Sequence, residues 1–349
     1  MDTELIWQQY GLEQLEEGIR NLFPGGGFSL RELLDALWSG DLLQAAKLIF
    51  AHSGTVIATA DSMRRVLVWI LAVGVMSSLM THFVEVFDRN QVADLSFYFS
   101  YLLLVTVLLK TFYETAQIAT ETIDQVLVFH RTLIPTYLLT VGVSCGPTTQ
   151  FAYSQLLLIL MTAVEEGMRK LVLPAIYGYC MLAVAGGIWK EEKLTLLMEL
   201  IRKMLVWLLK GALGLVTGIS AFQSVIAPVV DSVKATGFER IVSMLPGAGN
   251  LADGLLELLA GSALMIKNSV GVLLLLLLLA LCIRPLLRMC MMALALKVAA
   301  AVLGMVADKR MTTCVDSMGN AGLLLTGAAG CVVLLFFIAL AVVAVGTRL

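Results

Sequence analysis

Apolar stretches as long as the hydrocarbon core of a bilayer recur through most of this chain. The clearest is VGVLLLLLLLALCIRPLLR at 270–288, which holds seven consecutive leucines. A segment of about 20 apolar residues spans a membrane as a helix, because only a helix or a closed barrel satisfies its own backbone polar groups in lipid. Hydrophobic residues make up 59% of the chain and charged residues 14%, with a mean hydropathy of +0.90. The sequence therefore predicts an all-α, polytopic membrane protein.

The apolar stretches predict about eight or nine membrane segments. The fourth stretch is too long for one crossing and carries charges, so it predicts either two helices with a polar corner or one long broken helix. A less apolar stretch at 225–262 is interpreted as interfacial or re-entrant. The candidate segments are 66–84, 95–112, 126–144, 152–188, 201–224, 264–284, 286–306 and 321–346.

The chain divides into residues 1–60, predicted as a short amphipathic helical region, and a membrane domain at 61–349. FPGGG at 23–27 is a turn between two amphipathic stretches. The apolar face of the second stretch has three candidate partners: the first stretch, the bilayer interface or another protein. The first twenty residues are too polar for the hydrophobic core of a signal peptide, so none is expected there.

Prolines recur at a fixed interval. Pro135 and Pro246 are 111 residues apart, and so are Pro174 and Pro285. We interpret all four as helix breaks in a duplicated unit, an arrangement common in membrane transport proteins. The predicted units, the last of them partial, cover 92–188, 194–306 and 311–346.

Charge near the helix ends predicts local topology. Arg284 marks the end of the hydrocarbon, and Pro285 begins a new helix, which predicts a tight hairpin between 264–284 and 286–306. Residues 113–124 contain acidic groups without Lys or Arg and are predicted to face outward, whereas 189–203 is rich in Lys and Arg and is predicted to be cytoplasmic.

Polar residues within the apolar stretches are the candidate functional positions, since a charge at the bilayer centre costs about 2.5–3.5 kcal/mol on insertion scales. Several lie near helix ends, where a long side chain can reach the interface. Glu165 and Arg169 are four residues apart and can neutralise each other on one helical face. Lys210 lies deepest and is the best candidate for a pore-facing charge. The candidates are Glu165, Glu166, Arg169, Lys210, Lys267, Asn268, Arg284 and Lys297.

Several classes of function are not supported by the sequence. The net charge of −2 provides no basic surface for nucleic acid. The three histidines and six cysteines lack metal-ligand spacing, and the motifs of phosphate loops, serine hydrolases and zinc proteases do not occur, so we expect no catalytic residue, metal or cofactor. The cysteines are interpreted as buried apolar side chains. Energy for any transport would then come from an ion gradient or a separate ATPase.

The second half of the chain resembles the stage III sporulation protein AE family of endospore-forming bacteria. The resemblance lies in SALMIKNSVGVLLLLLLLALCIRPLLRMCMMALALKVAAAVLGMV, followed by TTCVDSMGNAG. Weaker similarity extends through RIVSMLPGAGNLADG and ETIDQVLVFHRTLIP toward the front of the chain. These are not catalytic motifs, and their specificity comes from order and spacing. Family members commonly begin with a cleaved signal sequence, from which the start of this chain differs.

The resemblance implies a multi-pass protein of the mother-cell membrane that surrounds the forespore. It would be the permease or membrane core of a secretion-like channel complex needed for forespore development. The implied partners are the other stage III sporulation A proteins, namely the ATPase-like AA and the ring-forming AG and AH, together with the forespore protein Q. A homo-oligomer is left open.

Three hypotheses follow from these observations. The first is the membrane core of such a multiprotein channel. The second is an autonomous secondary transporter of a small solute, built from two repeats. The third is a passive membrane scaffold that anchors other components and passes nothing.

Overall fold

The computed structural model describes residues 56–85, 90–145, 159–188, 194–242 and 249–345, and every regular element within these ranges is helical. The predicted amphipathic region at 1–60 lies almost entirely outside the described residues. In chain order, the helices are α1 (Val56–Glu85), α2 (Asn90–Cys145), α3 (159–188), α4 (Thr195–Val242), α5 (Gly249–Leu303) and α6 (Lys309–Val345).

Five helical segments among the described residues are long and apolar enough to cross a bilayer. The prediction of an all-α membrane protein is therefore confirmed for the described part. The predicted count of eight or nine segments is not confirmed, nor is the internal duplication. The five segments are Met63–Met80, Leu95–Phe129, Ile159–Ile188, Leu274–Leu303 and Lys309–Ile338.

Helix α2 is continuous over 56 residues, so the expected outward loop at 113–124 is wrong. The acidic residues of that stretch interrupt the apolar sequence without interrupting the helix. Threonines on its buried face donate their hydroxyls to carbonyls four residues earlier, as Thr111 does to Val107 and Thr115 to Thr111, at 2.9 and 2.8 Å. These bonds satisfy the hydroxyls without a water partner. Pro135 likewise lies inside α2 and does not end it.

Helix α5 continues through Pro285, so the predicted hairpin at this residue is wrong. A proline inside a helix removes one backbone hydrogen bond, and membrane helices tolerate this because neighbouring groups compensate. The observed turn is at 304–308, between α5 and α6. Asp308 caps α6, since its carboxylate accepts the backbone N–H of Arg310 at 2.8 Å.

Helix α3 is a single helix with a π turn at Met168–Val172. Pro174 has no N–H to donate, and its ring crowds the carbonyl of Lys170. The N–H of Leu173 bonds the carbonyl of Met168, five residues earlier, so the extra residue is absorbed just before the proline. Of the two alternatives for 152–188, the described residues form one interrupted helix. Pro246 lies outside the described residues.

Helix α6 is the centre of the bundle and packs against α2, α3, α4 and α5. Its inward positions carry many small residues, which let helix backbones approach closely in a membrane. At Gly322, a Cβ atom would lie 3.0 Å from the Cβ of Ala293 on α5. The close packing of α5 and α6 therefore depends on small side chains on both helices.

Tyr101 joins three helices at one end of the bundle. Its hydroxyl donates to the carbonyl of Val184 on α3 at 2.6 Å and lies 3.4 Å from Sγ of Cys314 on α6. The phenol ring packs directly against the backbone of Gly187, so a Cβ atom at this position would overlap the ring. Gly187 is therefore required by the close approach of Tyr101.

We predict that Gly187→Ala displaces Tyr101 and breaks its bond to Val184. Forcing a methyl group into a packed site costs about 1–3 kcal/mol, so thermal unfolding of the detergent-solubilised variant should shift to lower temperature. The matched control is Gly186→Ala, because a Cβ there meets only ordinary contacts at 3.8 and 3.9 Å. Equal unfolding temperatures for the two variants would contradict this account.

Candidate functional site

The first candidate site is a polar cluster between α5, α6 and α3, which we call the Lys297 cluster. Nζ of Lys297 lies 2.6 Å from Oδ1 of Asp316, and the amide of Asn320 donates to Oδ2 of Asp316 at 3.2 Å. The phenol of Tyr179 on α3 interacts with the side chains of Ser317 and Asn320. Both carboxylate oxygens of Asp316 are thus engaged, and the cluster connects three helices.

The turn at 304–308 brings this cluster together by placing Lys297 and Asp316 at one level of the α5–α6 hairpin. The Lys297 stem runs over Gly319, where a Cβ would lie 3.1 Å from Cγ of the lysine. The Lys297 side chain is 28% exposed and that of Asp316 48%. The pair is therefore shielded by neighbouring helices and still reachable from outside the bundle.

The second candidate site lies at the π turn of α3, and we call it the π-turn cluster. Nη1 of Arg169 lies 3.0 Å from Oδ1 of Asp124 on α2, and Nζ of Lys170 lies 2.7 Å from Oε1 of Glu166. Glu165 is 1% exposed. Two charge pairs and a buried carboxyl group therefore occupy one level of two membrane-spanning segments.

The structure distributes the sequence candidates unevenly. Glu165, Glu166 and Arg169 lie together in the π-turn cluster, and Lys297 anchors the other. Lys210 is exposed on α4 and Arg284 is exposed on α5, and neither belongs to either cluster. The backbone of Lys267 and Asn268 is helical within α5, and their side chains lie outside the described part.

Sequence reasoning missed the partners of these residues. Asp124 was assigned to an outward loop, yet it reaches Arg169 from within a continuous helix. Asp316 is not among the candidates that the sequence indicates. A correct turn between α5 and α6 would have paired it with Lys297, because the two positions lie at similar distances from that turn. Tyr179 gave no sequence signal, since nothing local sets it apart from other aromatic residues.

The chemistry available to the described residues is that of ion pairs and hydrogen bonds. They contain no group of three or more His, Cys, Asp or Glu side chains placed to hold a metal ion. Cys180, Cys282, Cys314 and Cys331 are free and buried, as predicted for apolar packing. Charged pairs inside membrane segments usually mark an ion or substrate path or hold helices together.

We predict strong energetic coupling between Lys297 and Asp316. Lys297→Met or Asp316→Leu alone leaves a charged group without its partner and should lower the unfolding free energy by about 1.5–3 kcal/mol. The double variant should recover most of this loss, which denaturant unfolding in mixed micelles would measure.

The exposed pair Glu199 and Lys203 is the control for this comparison of single and double variants. Their atoms lie 2.8 Å apart on α4, and the side chains are 57% and 69% exposed. A solvent-exposed pair of this kind contributes about 0–1 kcal/mol. Additive effects of Lys297→Met and Asp316→Leu would show that the ion pair does not stabilise the bundle.

These features define a helical membrane protein whose membrane-length helices carry paired charges. The profile of the stage III sporulation protein AE family matches residues 28–347, nearly the whole chain. The chain belongs to this family. A curated relative, the stage III sporulation protein AE of Bacillus subtilis (strain 168), is 25% identical over 258 residues, which is 74% of this chain and 65% of the relative. The chain thus covers slightly less than two thirds of that relative's length. No solved structure matches the chain.

Proposed function

We propose that this protein is the membrane core, or permease, of a channel complex between the mother cell and the forespore. The observation that carries the proposal is the family match over residues 28–347 together with charge pairs inside spanning helices. Charged residues within spanning helices often mark an ion or substrate path, which favours a conducting role for this protein over that of a passive anchor. The proposed location is the mother-cell membrane around the forespore.

The proposed partners are the other stage III sporulation A proteins and the forespore protein Q. In this scheme AA supplies energy as an ATPase, while AG and AH are the ring-forming components. The role of this chain is to provide the polar route through the lipid.

A second candidate is an autonomous secondary transporter, which the π-turn cluster favours. π turns are frequent at functional sites, and charged residues within spanning helices often mark substrate or ion pathways. This candidate requires no partner and predicts that purified protein in liposomes moves a small solute down an ion gradient.

Purification from sporulating cells distinguishes these candidates. We expect affinity-tagged, full-length protein, extracted in mild detergent, to bring down the other stage III sporulation A proteins, identified by mass spectrometry. The same tag on an unrelated multi-pass protein is the control. Recovery of this protein without them, together with solute uptake in liposomes, would contradict the channel-core proposal and support the autonomous transporter.

Heat-resistant spore counts test whether the Lys297 cluster takes part in the function. In a strain that lacks its own family member, the double variant Lys297→Met and Asp316→Leu should reach normal membrane levels and still leave spore numbers near those of the deletion strain. Loss of charge at this site removes a polar group from the route while sparing the fold. The matched control, Glu199→Leu with Lys203→Met, should sporulate normally. Normal spore counts for the first double variant would show that this pair serves structure alone.

A further inference from the structure

The outward face of α2 changes character along its length. Its exposed residues near the start are apolar, among them Phe99, Leu102 and Leu103. From Thr106 onward the same helical face becomes polar. We call this second part the polar face of α2; its exposed polar members are Thr106, Lys110, Gln117, Glu121 and Gln125. The exposed side chains of Tyr113 and Val128 lie on the same face, so it is mainly but not wholly polar.

Two contacts fix the depth of this polar face. The hydroxyl of Tyr101 lies beside Cys314, and the ring of Phe129 packs edge-on against Phe336, with centroids 5.5 Å apart. The polar face of α2 is therefore level with α6 between Cys314 and Phe336, which is about 33 Å of helix at a rise of about 1.5 Å per residue.

That part of α6 belongs in the bilayer. The sequence from Ser317 to Val345 contains no charged residue, and Lys309–Ile338 is the most hydrophobic spanning segment of the described chain. Leu334 is 53% exposed beside Phe336, as expected for a side chain that meets lipid. Since α2 and α6 are level here, the polar face of α2 lies at membrane depth.

Lipid is a poor partner for this face. Within the described part of the chain, no ion pair joins Lys110, Glu114 or Glu121 to another side chain. Each charge exposed to hydrocarbon would cost about 2.5–3.5 kcal/mol on insertion scales. A second copy of α2, parallel and at the same depth, would place like charges together, which is also unfavourable. Water satisfies both signs of charge and the glutamine amides.

We propose that the polar face of α2, together with the exposed Arg169 and Lys170 of the adjoining π-turn cluster, is one wall of a water-filled pathway at membrane depth. This deepens the proposed function and rests on it, because the wall would carry hydrated, polar cargo past the lipid. The wall bears both positive and negative groups, so it suits polar solutes or ions without selecting one sign. The exposed apolar side chains of α4, α5 and α6, such as Trp207, Leu294 and Leu334, are suited to contact with lipid or with other subunits.

Thiol labelling tests the proposal. Gln125→Cys and Gln117→Cys are placed singly in a full-length chain whose six native cysteines are replaced by alanine. Open membrane fragments are treated with a charged, membrane-impermeant maleimide. We expect both thiols to react at least about tenfold faster than Leu334→Cys, because only a hydrated thiol ionises readily. Leu334 is the matched control, since its neighbour Phe336 contacts α2 at Phe129, four residues beyond Gln125. Resistance to alkaline extraction shows that each variant is inserted.

Two other outcomes would overturn the inference. Rapid reaction at all three positions would mean that this level lies outside the membrane. Slow reaction at all three would mean that the polar face meets lipid or protein. The labelling needs no sporulation partner and no transport, so it is separate from the proposed function. If the partners co-purify and sporulation is normal but the cysteines at 117 and 125 react slowly, only the water-filled wall is overturned. If those cysteines react rapidly but the partners are not recovered, only the channel-core role is overturned.

Discussion

The cost of placing charge in hydrocarbon governs this structure. Each ionic group in a spanning helix must meet an opposite charge, reach an interface or face water. The Lys297 cluster and the π-turn cluster use the first solution, joining α5 to α6 and α3 to α2. The pairs Lys297–Asp316 and Arg169–Asp124 lie between different helices, so they bind the helices together and specify which faces meet. The small residues of α6 let the backbones of α5 and α6 come close together.

Sequence reasoning succeeded where a property depends on local composition. Runs of apolar residues identified the membrane domain, and the costly polar positions included Lys297 and Arg169, both of which take part in ion pairs. It failed at helix ends. Pro285 was read as a corner, but in a membrane a helix loses more by ending in lipid than by omitting one hydrogen bond. The turn forms at 304–308 instead, where Asp308 caps the helix that follows.

The pairing of charges is not readable from a single sequence for a related reason. Arg169 pairs with Asp124, which is 45 positions earlier, and this contact requires knowing how α2 and α3 pack. Local spacing suggested Glu165 as its neighbour, on the assumption of an unbroken α-helix. The π turn begins at Met168 and includes Arg169, so the regular α-helical spacing assumed for this pair does not continue into it. Long-range partners thus depend on a packing arrangement that hydropathy does not specify.

The π turn also carries a consequence for how this family varies. It accommodates one surplus amino acid just ahead of Pro174, where a proline would otherwise crowd the carbonyl four residues earlier. A homologue without the imino acid at this point has no need of the widened loop. We therefore expect such homologues to be one residue shorter here, so that loss of the proline and a single-residue deletion occur together.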